Sequence, residues 1–154
     1  MSVVVYSNFL SKNECDELLN LGLKEFVPDR RMALENWHAR NNVKQKIKSK
    51  IYKIIKPICP LDSFSVGLIN LTEYKDGRSL RPHVDDPCDY VFTIVLSEGY
   101  VGGDFVVENN VYNLKLGDCI MFNGSNMTHE VEKVTEGTRY AMSIMVTKSK
   151  IKLL

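Results

Sequence analysis

From Phe64 onward the chain turns to short strand-like segments separated by turn residues, and this pattern constrains the fold more than any other feature. The segments are FSVGLINLTEY, YVFTIVLS, GDFVVEN, GDCIMFN, THEVEKV and GTRYAMSIMVT. The gaps KDGR, SEGYVGG, ENN, NGSN and TEG carry the glycine, asparagine and aspartate that turns require. Gly102, Gly103 and Gly117 read as turn residues only. Many short strands at even spacing, behind helices confined to the N-terminal part, predict a mainly β chain of α+β class. The expected architecture is a double-sheet jelly roll braced by helices.

The first third reads as helical. In SKNECDELLNLGLKEF, Ser11 stands at an N-cap position with Glu14 three residues on, a capping box, and Leu18, Leu19, Leu21 and Leu23 give an apolar side. A second helix fits NNVKQKIKSKIYKIIKPI, where Val43, Ile47, Ile51, Ile54 and Ile55 recur at helical spacing and Pro57 and Pro60 end the run. Its lysines line the opposite, solvated face. Between the two lies a polar, arginine-rich segment with the only tryptophan, read as a short helix or a loop. Loops on rigid scaffolds carry recognition, so Arg30, Arg31, Trp37 and Arg40 are candidates for substrate contact; the alternative for Trp37 is an anchor to the core.

A chain of 154 residues forms one domain, with a helical brace over about 1–58 and a jelly-roll core over about 61–148. The net charge of +1 gives no global attraction to nucleic acid or anionic membrane. No apolar run approaches a membrane span, and the N-terminus lacks a basic region and a cleavage site. Four cysteines without a CxxC pair favour a reduced, cytoplasmic location.

Only three histidines are present. His83 and Asp85 lie two apart in RPHVDDP, a spacing that puts both on one face of a strand. The pair is either half of a metal site or an ordinary polar pair. His129 in MTHEV is the other histidine of the strand region, and a jelly roll can bring distant strands together at its open end. His83, Asp85 and His129 would then form the two-histidine, one-carboxylate triad that non-haem Fe(II) oxygenases use. His38, beside the tryptophan, reads as a surface or lid residue. Arg139, ten residues past His129, needs an anionic partner if it points inward, and a dicarboxylate bound to the iron would supply one. Ser143 shares its strand parity, and Tyr74 ends the strand before His83.

YKDGRSLRPHVDDP, GGDFVVE, LKLGDCIMFNGSNMTHEV and EGTRYAMSIMV together resemble the Fe(II)/2-oxoglutarate-dependent dioxygenases of the prolyl 4-hydroxylase type. The likeness covers roughly residues 64–147, with RPHVDDP, THEV and TRYA most similar to the oxygen-sensing prolyl hydroxylases. It implies a double-stranded β-helix of cupin-like form, with His83, Asp85 and His129 as iron ligands. Arg139 becomes the partner of the distal carboxylate of 2-oxoglutarate, where collagen-type members place a lysine, and Tyr74 matches the tyrosine near the co-substrate. Val95 departs from the pattern, because many relatives carry a tyrosine there. The missing hydrogen bond is either absent or supplied by Thr93 or Ser143.

The implied reaction is hydroxylation of a C–H bond coupled to decarboxylation of 2-oxoglutarate to succinate, with dioxygen as oxidant and ascorbate as a possible accessory. The protein's share is positioning and tuning. Arg81 and Asp86 flank the triad as substrate or supporting groups, or as a surface ion pair. The expected substrate is a prolyl or other residue of a protein or peptide. The alternatives are a free amino acid or other small molecule, or a non-catalytic metal-binding jelly roll or 2-oxoglutarate sensor. A nucleic-acid demethylase is disfavoured, because no second arginine follows Arg139. Recognition falls to the loops at 27–42, 75–82 and 86–90.

Overall fold

The computed structural model describes residues 2–29, 35–39 and 45–149. In chain order the elements are β1 (Val4–Tyr6), α1 (Lys12–Glu25), β2 (Val27–Asp29), β3 (Glu35–Ala39), α2 (Gln45–Ile55), β4 (Phe64–Tyr74), β5 (Leu80–His83), β6 (Tyr90–Val95), β7 (Val101–Gly102), β8 (Phe105–Val107), β9 (Asn110–Tyr112), β10 (Cys119–Phe122), β11 (His129–Val131), β12 (Val134–Glu136) and β13 (Arg139–Lys148). A seven-stranded sheet runs β1-β10-β6-β13-β4-β3-β2, a four-stranded sheet runs β5-β11-β8-β9, and β12 pairs with β7. All these pairings are antiparallel, and the described residues form a mainly β jelly roll with two helices, as the strand pattern predicts.

The helices cover one face of the large sheet. The capping box of α1 is complete: Ser11 Oγ accepts from Glu14 N at 3.2 Å, and Glu14 Oε1 accepts from Ser11 N at 3.0 Å. Cys15, Leu18 and Gly22 form its buried stripe. A Cβ on Gly22 would lie 2.9 Å from Leu71 Cδ2, so the absent side chain lets α1 sit close on β4. In α2 the residues Ile47, Ile51 and Ile55, four apart, are buried, and the helix stops before Pro57.

Two expectations are corrected. The segment between the helices, read as a short helix or loop, contributes the β2–β3 hairpin at the edge of the large sheet, with β3 pairing to β4 from Glu35↔Glu73 to Ala39↔Ile69. The unpaired backbone edge of β4 recruits a segment whose own sequence has no strand alternation, so tertiary pairing overrides local preference. The segment THEVEKV, read as one strand, is divided between β11 and β12, which lie in different sheets.

Strand alternation gives the large sheet two unlike faces. Leu71, Phe92, Met142, Ile144 and Val146 face α1 and α2 in one apolar cluster. Tyr74, Val91, Val95, Ile120 and Phe122 face the small sheet, which adds Phe105, Val107 and Val131 to a second cluster inside the roll. The site borders this second cluster.

Candidate metal centre and co-substrate pocket

His83 is the last residue of β5, and the β5–β11 register sets it directly opposite His129. Their ring centroids are 4.3 Å apart. Asp85 lies beyond the end of β5, so strand parity is not what brings it to His83, contrary to the reading of the sequence. Its backbone N–H donates to Gly124 O at 2.8 Å, and this bond to the turn before β11 folds the carboxylate back over the histidines. Asp85 Oδ1 lies 3.4 Å from His83 Nε2, and Asp85 Oδ2 lies 3.2 Å from His129 Nε2. One ligand atom from each residue falls within 4.8 Å of the others.

The backbone selects the tautomer. His83 Nδ1 is 2.7 Å from Arg81 O, and His129 Nδ1 is 2.9 Å from Met127 O. A carbonyl only accepts, so each Nδ1 donates to it, and Nε2 is the nitrogen of each ring that faces Asp85 and the centre. The rings differ in surroundings: His129 is 5% exposed, with Phe105 and Phe122 against it, whereas His83 is 33% exposed at the rim.

Burial pushes the Asp85 carboxyl up, but hydrogen bonds and charge from His129 and His83 outweigh it and hold the group down to about 2. The hydrogen bond to Asp85 raises His83 above its ordinary value, against the opposing effect of burial. The carboxylate is therefore ionised and faces two imidazoles at neutral pH.

Deeper in the roll, Arg139 opens β13 opposite Tyr74 and is fully buried. Among the described residues none of its three guanidinium nitrogens has a hydrogen-bond partner. Burying a cation without an opposite charge costs several kcal/mol, a cost that an anion in the pocket would offset. The guanidinium lies over the Tyr74 ring at 5.2 Å. Gly103 is more than a turn residue: a Cβ there would lie 2.7 Å from Arg139 Cδ, so its missing side chain makes room for the arginine stem.

Tyr100 was not singled out in the sequence, and it sits in a segment read as turn. Burial raises its phenol above the ordinary range, and the nearby Arg139 charge opposes that rise. Tyr74 shows the same two influences. Tyr100 donates to Leu114 O at 3.3 Å. Thr93 and Ser143, opposite each other in register, bond mutually at 2.9 Å, a bond that uses one of their two hydroxyl hydrogens.

Residues 69–146 match the 2OG-Fe(II) oxygenase superfamily. The chain belongs to that superfamily. It is a 2-oxoglutarate-dependent dioxygenase. A PKHD-type hydroxylase of Acaryochloris marina is 27% identical over 89% of this chain and 74% of that protein. Another, from Maricaulis maris, is 28% identical over 62% of this chain and 51% of its own length. The crystal structure of a viral collagen prolyl hydroxylase from Paramecium Bursaria Chlorella virus-1, in complex with 2OG, shares the fold at a TM-score of 0.69 and 18% identity. It is matched over 97% of both chains.

The residues of this oxygenase fit the two groups its superfamily implies. Two imidazoles and one carboxylate are the donor set suited to Fe(II) with open positions, and the guanidinium, which has no hydrogen-bond partner among the described residues, suits a dicarboxylate. The remaining candidates are less engaged. Arg81 and Asp86 have exposed side chains; their carbonyls act instead, accepting from His83 Nδ1 and from Ser125 Oγ at 2.9 Å. Val95 is buried against the interior cluster, and Tyr100 brings a phenol toward Arg139 by another route. Arg30, Arg31 and Arg40 lie outside the described residues, and Trp37 and His38 are placed only by register, opposite Leu71 and Asn70. Among the described residues no helix is long and apolar enough to cross a membrane.

Proposed function

We propose that this oxygenase hydroxylates a prolyl residue of a protein or peptide, within a single catalytic domain, with His83, Asp85 and His129 holding Fe(II). Arg139 receives the distal carboxylate of 2-oxoglutarate. The observation that carries the reading is the fully buried guanidinium with three unpartnered nitrogens, facing the same interior cluster as the triad. Support for the prolyl substrate comes from the PKHD-type hydroxylases and the viral collagen prolyl hydroxylase that the chain resembles.

When bound, iron and 2-oxoglutarate supply dioxygen activation, with release of succinate and carbon dioxide. The chain's own residues do the positioning. Nε2 of each histidine and one Asp85 oxygen occupy one side of the centre and leave the other side open. Arg139 offers paired N–H groups in fork geometry to a carboxylate, with the Tyr74 ring beneath it. Phe105 and Phe122 exclude water behind His129, while the more exposed His83 marks the side from which a substrate C–H bond arrives.

An anaerobic titration with Fe(II) and 2-oxoglutarate tests the centre through the visible charge-transfer band of the chelate. The band should appear in wild type, vanish in His83→Ala and need far more co-substrate in Arg139→Ala. Metal uptake without a band would overturn the assignment. Proline-containing peptides, incubated with and without ascorbate, should then gain the mass of one oxygen in step with succinate. Hydroxylation of free proline alone would replace the peptide reading.

A further inference from the structure

We propose that Gly124 is a positioning residue for the metal centre, and that the turn from Asn123 to Met127 orients two of its three ligands as one unit. The proposal rests on the assignment of Asp85 and His129 as ligands. It adds the reason their donor atoms converge.

Gly124 does not have the positive φ that makes six other glycines of the described chain conformationally necessary. Backbone strain therefore does not require glycine here. Space does. A Cβ at 124 would lie 2.3 Å from Asp85 Oδ2, 3.2 Å from Asp85 Cγ and 2.6 Å from Val91 Cγ2. The carboxylate has no room to yield in place. Its backbone is tied to Gly124 O, Val91 closes the floor, and Oδ2 is the oxygen that faces His129 Nε2.

The same turn reaches the other groups around the centre. Met127 O accepts from His129 Nδ1. Ser125 Oγ accepts from Cys88 N at 2.7 Å and lies within hydrogen-bond distance of the carbonyls of Asp86 and Cys88, clamping the loop that follows Asp85. The turn is itself closed by Met127 N donating to Asn123 O at 3.0 Å. One short rigid segment therefore holds a carboxylate by the absence of a side chain and an imidazole by a carbonyl. Supporting groups of this kind are worth about 10–100-fold in metal affinity.

The test is a Co(II) titration, read by visible absorption, on wild type, Gly124→Ala, Val91→Ala and the double variant, with melting curves of each metal-free protein. Gly124→Ala should bind Co(II) about 10–100-fold more weakly than wild type. The double variant relieves the clash with Val91, so its melting temperature should return toward that of Val91→Ala while the affinity stays low. Affinity restored in the double variant, or within about twofold of wild type in Gly124→Ala, would make Gly124 a packing residue and overturn the proposal. Loss of folding in both Gly124 variants would also overturn it, in favour of a role in folding. A wild type that takes up no Co(II) would instead sink the ligand assignment beneath it.

Discussion

The two faces of β13 carry opposite chemistry on one ten-residue strand. Toward the helices, Met142, Ile144 and Val146 are buried in an apolar cluster with Leu71 and Phe92. Toward the interior, Arg139 and Ser143 are set beside Tyr74 and Thr93. The first face gains stability from burial. The second holds a desolvated cation with the Tyr74 ring beside it but no opposite charge, an arrangement that costs stability and that an anionic ligand would offset. A strand with only the second face would not hold its place in the sheet.

Arg139→Met should have the largest effect on function and little on folding. We expect the affinity for 2-oxoglutarate to fall by about 3–5 kcal/mol, a few hundredfold or more, while the metal-free melting temperature stays level or rises. Titration and thermal melts on one preparation check both. A melting temperature that drops as far as in a core variant would break the contrast between the faces. Ile144→Ala is the mirror experiment: a loss of about 2–4 kcal/mol of stability by denaturant titration, with co-substrate affinity of the folded fraction unchanged. Thr93→Val with Ser143→Ala removes the hydroxyl pair and should weaken 2-oxoglutarate by about 1 kcal/mol. A null result would leave the carboxylate to Arg139 and the two tyrosines.

The smallest effect concerns pH in the metal-free protein. His83 is raised above 6.5, so its contribution to stability is complete below that value and is lost as pH climbs through the folded value. Asp85 is lowered from 3.8 to about 2, so its contribution is complete above 3.8 and is lost as pH falls toward 2. The two overlap between 3.8 and 6.5, where the metal-free melting temperature should peak. Metal loading should move the peak upward, because the metal needs His83 neutral. A peak that ignores His83→Gln would detach it from this cluster.

Much of this was legible in the sequence, because the information was local or ordered along the chain. Ser11 and Glu14 announce α1 through a four-residue box, and the interior strands announce themselves by turn residues and β-rich runs. His83, Asp85, His129 and Arg139 were singled out by residue type and order, and the fold brings the first three together. What stayed hidden depends on tertiary approach. Nothing in the polar segment around Trp37 signals a strand, since the edge of β4 supplies the reason. Asp85 converges on His83 through a bond to Gly124, 39 residues away, not through strand alternation. The roles of Tyr100, Gly103 and Gly124 depend on which atoms stand opposite them, a property no single-chain pattern encodes.

β13 lies between β4 and β6, two strands that precede it by dozens of residues. During synthesis both must wait with one flank unpaired until residues 139–148 emerge. Sheets completed by such distant segments form slowly and expose sticky edges meanwhile. The strand that closes this gap also delivers Arg139, so the nascent chain cannot position that guanidinium before its architecture is closed. A chain folded only as far as His129 would bring the proposed metal ligands together without the arginine proposed to receive the co-substrate.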